Sequence, residues 1–124
     1  MADIALVAAG GAAGAVLRYA IGGVIASRAG TAFPWHTLVV NVLGAFLLGL
    51  LMALSAERAL LGPSWRTLLG IGVLGGFTTF STLAYESVRL MEQGLPTAGL
   101  LNVFGSALLG LIAVVAGLGL GRAL

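Results

Sequence analysis

Residues 75–82 read Gly-Gly-Phe-Thr-Thr-Phe-Ser-Thr, inside the apolar run Thr67–Tyr85. Two glycines and four hydroxyl residues are a poor recipe for the interior of a helix in lipid. Breaking a helix there frees carbonyls and amides that must find partners. Freed carbonyls suit a small cation. Freed N–H groups at the start of the following half-helix, together with Thr and Ser hydroxyls, suit an anion. The string supplies both, with glycines for the turn and then donors. The bland alternative is a glycine kink in which Ser and Thr satisfy their own backbone. Beyond the string, helical spacing sets Thr78, Thr82, Tyr85, Glu86 and Arg89 on one face, and Phe80 and Leu83 on another.

Two amides accompany this string. The segment Asn-Val-Leu-Gly-Ala-Phe-Leu-Leu-Gly-Leu at 41–50 returns as Asn-Val-Phe-Gly-Ser-Ala-Leu-Leu-Gly-Leu at 102–111, identical at seven of ten positions. Leu and Gly matches are cheap in membrane helices, but Asn41 and Asn102 are the only asparagines in the chain. An amide in lipid is costly, so each should face protein or water. Ser106 follows Asn102 one turn on, on the same face. A single such Asn reads as an interhelical hydrogen bond. Two of them, expected at similar depth in a parallel pair of helices beside a hydroxyl-rich break, point to a polar pathway.

The charges are few. Arg18 interrupts an apolar first helix, where it either draws anions into a vestibule or pairs with Glu86. Arg89, one turn beyond Glu86, offers a local pair instead. A carboxylate near an anion path is expected to have an arginine partner rather than to carry protons. His36 reads as a boundary residue. There is no cysteine, and no array of His and acidic residues for metal or hydrolytic chemistry, so no enzyme is expected. The six arginines are scattered singly against four acids, which is no nucleic-acid footprint.

These residues need a scaffold. The chain has 124 residues, 60% hydrophobic and 8% charged, so lipid is its natural solvent. A spanning helix takes about 20 apolar residues. Four stretches qualify, over about 4–27, 36–56, 67–92 and 97–121, the third with its break near 75–80. Pro34, Pro63 and Pro96 precede the last three, where a backbone donor is not needed. Trp35 and Trp65 follow two of these prolines, at interface depth. Asp3 stands where a signal peptide carries its positive cluster, so the first stretch is expected to be a retained helix. Short connections make this one all-α membrane domain. The glycines of Gly11–Gly23, and Gly117, Gly119 and Gly121, are expected to be close-packing faces.

Arginines divide almost evenly across the membrane. Arg58, Arg66 and Arg122 fall on one side, with Arg28 and Arg89 on the other and Arg18 nearer that second side. The positive-inside rule therefore gives no orientation. Either this is noise in a short chain, or the chain inserts both ways and pairs antiparallel with itself.

Taken together, Gly-Ala-Val-Leu-Arg-Tyr at 14–19, Thr-Leu-Val-Val-Asn at 37–41, the 75–82 string with Tyr85-Glu86, and Asn-Val-Phe-Gly-Ser at 102–106 resemble the Fluc (CrcB) fluoride channels. The likeness covers the whole chain. It implies a multi-pass protein of the bacterial inner membrane that passes fluoride out of the cell. It implies a dual-topology, antiparallel homodimer with two pores, without a soluble protein partner or nucleic acid. A structural Na⁺ would sit at the dimer centre, on the backbone carbonyls of Gly75 and Thr78. The pathway it implies uses Asn41, Thr79, Phe80, Ser81, Thr82 and Ser106; Asn102 and position 83 are taken with them. The family's second pore phenylalanine falls at position 83, which here is Leu83. Leucine keeps a pore narrow and dry but has no ring edge. Two other classes compete. Small dual-topology drug exporters resemble one another in carrying a first-helix glutamate, where this chain has Arg18. The other is an assembly subunit without transport of its own.

Overall fold

A computed structural model describes all 124 residues. It is all helical, with four helices long and apolar enough to cross a membrane. The first span is α1 (Ala2–Ala29), closed by Gly30 in the left-handed region at φ 78°. The second is α2 (Trp35–Met52), which continues through Ala53–Glu57 as a wider π-helical turn. The third starts at α3 (Pro63–Trp65), widens over Arg66–Leu74 and returns to α geometry in α4 (Gly75–Phe77). Thr78 and Thr79 are extended, and helical geometry resumes in α5 (Phe80–Glu92). The fourth span is α6 (Pro96–Ala123). Pro34 caps α2, and Pro63 and Pro96 open α3 and α6, positions where the missing N–H costs nothing.

Only 23 of the 124 residues are buried, and large side chains such as Leu17, Phe104, Leu111 and Val115 stand exposed. Such a surface suits lipid or another apolar partner, and it leaves the helices to be held by close packing rather than by a hydrophobic core. The two closest seams run through glycine. On α1, Gly10 and Gly14 lie so near the third span that an added Cβ would meet the Leu68 and Val73 carbonyls. On α6, a Cβ at Gly117 would meet the Phe46 carbonyl, and one at Gly121 would meet the Ala53 side chain and Leu50. Gly23 and Gly119, expected on these same faces, look onto open space.

The α2–α6 seam runs parallel, as the order of its contacts requires: Phe46 with Gly117, then Ala53 with Gly121. Its register corrects the expected alignment of the repeat. Asn102 follows Asn41 by sixty-one positions, whereas the seam pairs residues roughly seven further apart. Two helical turns is about 10 Å, so the two asparagines sit at different depths. The glycines decide this, because only where both backbones can approach does the pair lock.

Beyond the seams, the ends are tied. Arg122 donates twice to Glu57, Nε to Oε2 at 2.7 Å and Nη2 to Oε1 at 2.8 Å, and Arg58 donates to the Arg122 carbonyl at 2.9 Å. This fixes the end of the second span to the end of the fourth. The pair is exposed, so it contributes little to stability.

Candidate functional site: a clamped helix interruption between two cavities

The glycines expected to make the turn do not make it. Gly75 is helical, at φ −63° and ψ −37°, and the backbone leaves helical geometry only at Thr78 and Thr79. Gly76 instead serves helix approach, since a Cβ there would stand 2.5 Å from the Gly11 carbonyl. Thr79 then caps α5, its Oγ1 accepting from the Thr82 amide at 3.3 Å.

Asn41 holds this interruption from α2. Its Nδ2 donates to the Thr79 carbonyl at 2.9 Å, and its Oδ1 accepts from the Thr79 amide at 2.8 Å. One side chain thus replaces both backbone partners that Thr79 loses by leaving the helix. The interruption strips the four carbonyls of Gly75–Thr78 of their helical donors, those of Gly76 and Phe77 because the Phe80 and Ser81 amides stay free. The Thr79 amide would have closed on the Gly75 carbonyl, and the Thr82 amide on the Thr78 carbonyl; each now goes elsewhere. The Thr78 hydroxyl donates back to the Leu74 carbonyl at 2.9 Å, so part of the string does satisfy its own backbone.

Hydroxyls gather at the start of α5. Thr79 Oγ1 donates to Thr82 Oγ1 at 3.1 Å and lies 3.4 Å from Ser81 Oγ. The amides of Phe80 and Ser81, first in α5, have no acceptor within the chain. That is the donor-rich helix start an anion favours.

Two cavities meet at Thr79. The first, of about 490 Å³, is lined by Arg18 and Tyr19 from α1, His36 and Thr37 from α2, and Thr79 and Thr82. The second, of about 610 Å³, is lined by Asn41, Thr78, Thr79, Phe80, Leu83 and Ser106 among others. Leu83 is buried while Phe80 is 78% exposed, so the Phe80 ring projects from the chain at the edge of this cavity. Ser106 is buried with a hydroxyl that has no partner. Seven of the eight pathway residues expected from the sequence are thereby gathered at or beside the interruption.

Asn102 stands apart. It lines neither of these cavities, is 0% exposed, and donates through Nδ2 to Ser87 Oγ at 3.0 Å. Ser87 in turn donates to the Leu83 carbonyl at 2.7 Å. The two-turn offset of the α2–α6 seam carries Asn102 away from the level of Asn41 and into the α5–α6 contact. There it makes the interhelical hydrogen bond that a lone membrane asparagine suggests.

Glu86 pairs with neither Arg18 nor Arg89. Its Oε1 accepts from Thr37 Oγ1 at 2.9 Å and stands 3.0 Å from His36 Nε2. Arg89 goes to Glu92 at 3.0 Å, and Arg18 lines the first cavity without an ion pair. The sequence reading missed His36 as a site residue. A signal was present: His36 in the first turn of α2 and Glu86 in the second turn of α5 lie at the same end of adjacent helices. No group of three or more His, Cys, Asp or Glu side chains is placed to hold a metal.

Known proteins match this arrangement over nearly its whole length. A Thermus thermophilus protein named fluoride-specific ion channel FluC is 51% identical over 119 residues, covering 96% of this chain and 94% of its own. Proteins of the same name from Chloroflexus aurantiacus and Rhizobium meliloti are 48% and 47% identical, covering 98% and 100% of this chain and 97% and 99% of theirs. Residues 5–118 match the profile described as CrcB-like protein, Camphor Resistance (CrcB), and the chain belongs to that family.

Proposed function

We propose that this chain is a passive fluoride channel of the bacterial inner membrane, acting as an antiparallel homodimer with two pores. The observation that carries the reading is the clamped interruption at Thr79, the residue at which two cavities meet and beside which hydroxyls and free amides gather. Fluoride is small and strongly hydrated, so donors must replace its water. Amides and hydroxyls do so without the full positive charge that would trap the ion. The names of the relatives point to the same ion.

In this reading the broken third helix lines the path. Arg18 draws the anion into the first cavity; Thr79, Ser81, Thr82 and Ser106 offer donors; Phe80 offers a ring edge; and Leu83 keeps the passage dry. Phe80 reaches outside the protomer, which suits a pore completed by a second chain. The near-even arginine count suits two opposite insertions.

A central Na⁺ fits the residues present. The Gly75 and Thr78 carbonyls have both lost their helical donors, and Gly75 is exposed on the protomer surface. They would hold the ion between two chains, and the ion would supply the positive charge that converging carbonyls need.

The test is anion efflux from liposomes holding the purified protein. Fluoride should leave only when a K⁺ ionophore balances charge, and chloride should stay. Efflux that ignores the ionophore and follows a proton gradient marks an exporter instead. No flux from folded protein marks an assembly subunit.

A further inference from the structure

We infer that Gly44 is a positioning residue for the ion path: the notch it leaves in α2 seats the Thr78 methyl and so fixes where α5 begins. The inference rests on the fluoride-channel reading above. Gly44 is buried and lines the second cavity with Asn41, Thr78 and Thr79. A Cβ built on it would overlap Thr78 Cγ2 and stand 3.3 Å from Phe77 Cδ1. Gly44 follows Asn41 by three positions, so the notch and the amide lie on one face of α2. They take successive residues of the third span, Thr78 in the notch and Thr79 on the amide.

Thr78 is not free to leave this seat. Its amide and its hydroxyl both donate to the Leu74 carbonyl, at 3.0 and 2.9 Å. The hydroxyl's bond selects one χ1 rotamer, and in a β-branched residue the rotamer that places Oγ1 also places Cγ2. Turning the methyl away would give up that bond. Withdrawal of the backbone toward α1 is closed as well. A Cβ at Gly14 would meet the Phe77 amide nitrogen at 2.9 Å, and one at Gly76 would stand 2.5 Å from the Gly11 carbonyl. The four residues from Gly76 to Thr79 are thus held one by one, the first two by α1 and the last two by α2.

This grip ends where the donors begin. Thr78 is extended at φ −84°, ψ 156°, and Thr79 at φ −151°, ψ 124°. The free amides of Phe80 and Ser81 and the hydroxyls of Thr79, Ser81 and Thr82 come directly after. A methyl at position 44 must displace Thr78, and the start of α5 moves with it. A donor moved by about 1 Å from a contact of about 2.8 Å no longer makes a hydrogen bond.

The test is unitary fluoride current in planar bilayers, which reads only channels that have folded. Gly44→Ala should lower it about tenfold, the effect of losing one hydrogen bond to an ion in the path. Thr78→Ser keeps the hydroxyl and removes the methyl. In the Thr78→Ser background, Gly44→Ala should cost no more than about threefold, since Phe77 Cδ1 at 3.3 Å is then the nearest obstacle. Gly49→Ala meets the Val114 carbonyl instead, so Thr78→Ser should not relieve it. If Gly44→Ala alone does not fold, the detergent melting temperature decides: adding Thr78→Ser should restore a cooperative transition, and a double variant that also fails to fold would overturn the seat. Unchanged current in Gly44→Ala, the same factor lost in both backgrounds, or equal relief of Gly49→Ala would overturn the role of Gly44 while leaving the channel reading intact. Absence of fluoride current from the wild type would overturn the channel reading and this inference with it.

Discussion

Replacing Asn41 by aspartate tests the clamp and the pathway together. The variant keeps an acceptor for the Thr79 amide but loses the Nδ2 donor that stands 2.9 Å from the Thr79 carbonyl. A carbonyl left facing a carboxylate in apolar surroundings costs about 1–3 kcal/mol. The larger effect is on the ion. Asn41 lines the second cavity, and a unit charge about 4 Å from a passing anion, at an effective dielectric constant near 20, opposes it by about 4 kcal/mol. That is about a thousandfold in rate. We predict that Asn41→Asp, reconstituted as monodisperse protein, loses fluoride efflux by about this factor near neutral pH. A protonated carboxyl would restore both hydrogen bonds, its O–H donating to the Thr79 carbonyl, so efflux should recover as pH is lowered. Folded variant protein that conducts within about tenfold of wild type near pH 7 would show that Asn41 braces the interruption without touching the path.

Three further outcomes follow from the packing. Phe80→Leu should slow fluoride efflux more than Leu83→Phe, because Phe80 projects from the protomer while Leu83 is already a buried wall; one ring-edge contact is worth about 1 kcal/mol, and equal near-wild-type rates would remove aromatic edges from the mechanism. Ser87→Ala should lower stability in detergent by about 1–3 kcal/mol by orphaning the Asn102 amide, and Ser87→Ala with Asn102→Leu should recover part of that loss; a double variant no better than the single one would argue against this pairing. Gly117→Ala should lower the detergent melting temperature, since its methyl meets the Phe46 carbonyl and forcing the helices apart costs about 1–3 kcal/mol, whereas Gly119→Ala, facing open space, should not; equal melting temperatures would refute the seam.

Hydropathy sufficed for the four spans, because length in lipid is nearly a one-dimensional property. The hydroxyl string was legible for the same reason: polar atoms in an apolar run must be explained locally. What escaped was tertiary. The glycines at 75–76 look like turn residues, yet Gly76 lets Gly11 of α1 approach, which no single helix reveals. The repeat suggested that Asn41 and Asn102 share a level, but the register was set by Gly117 and Gly121, two turns away from that alignment. Arginine was the obvious partner for Glu86 by charge alone. His36 took that place because α2 and α5 bring their ends together, a proximity hidden by a separation of fifty positions.

The offset repeat leaves one decapeptide with two audiences. In its first copy, Gly44 and Gly49 are pressed against Thr78 and Val114, so the chain's own fold forbids a methyl there. In the second copy the matching glycines, Gly105 and Gly110, meet nothing within 4 Å. Identical letters therefore answer to different judges. Substitution at 44 or 49 interrogates the solitary protomer and should register in any folding assay. Gly110 still borders the second cavity, so substitution at 105 is the one that interrogates what lies outside the chain: a defect there that spares the fold is a reading of the neighbour, whether lipid or a second copy, taken from within the chain.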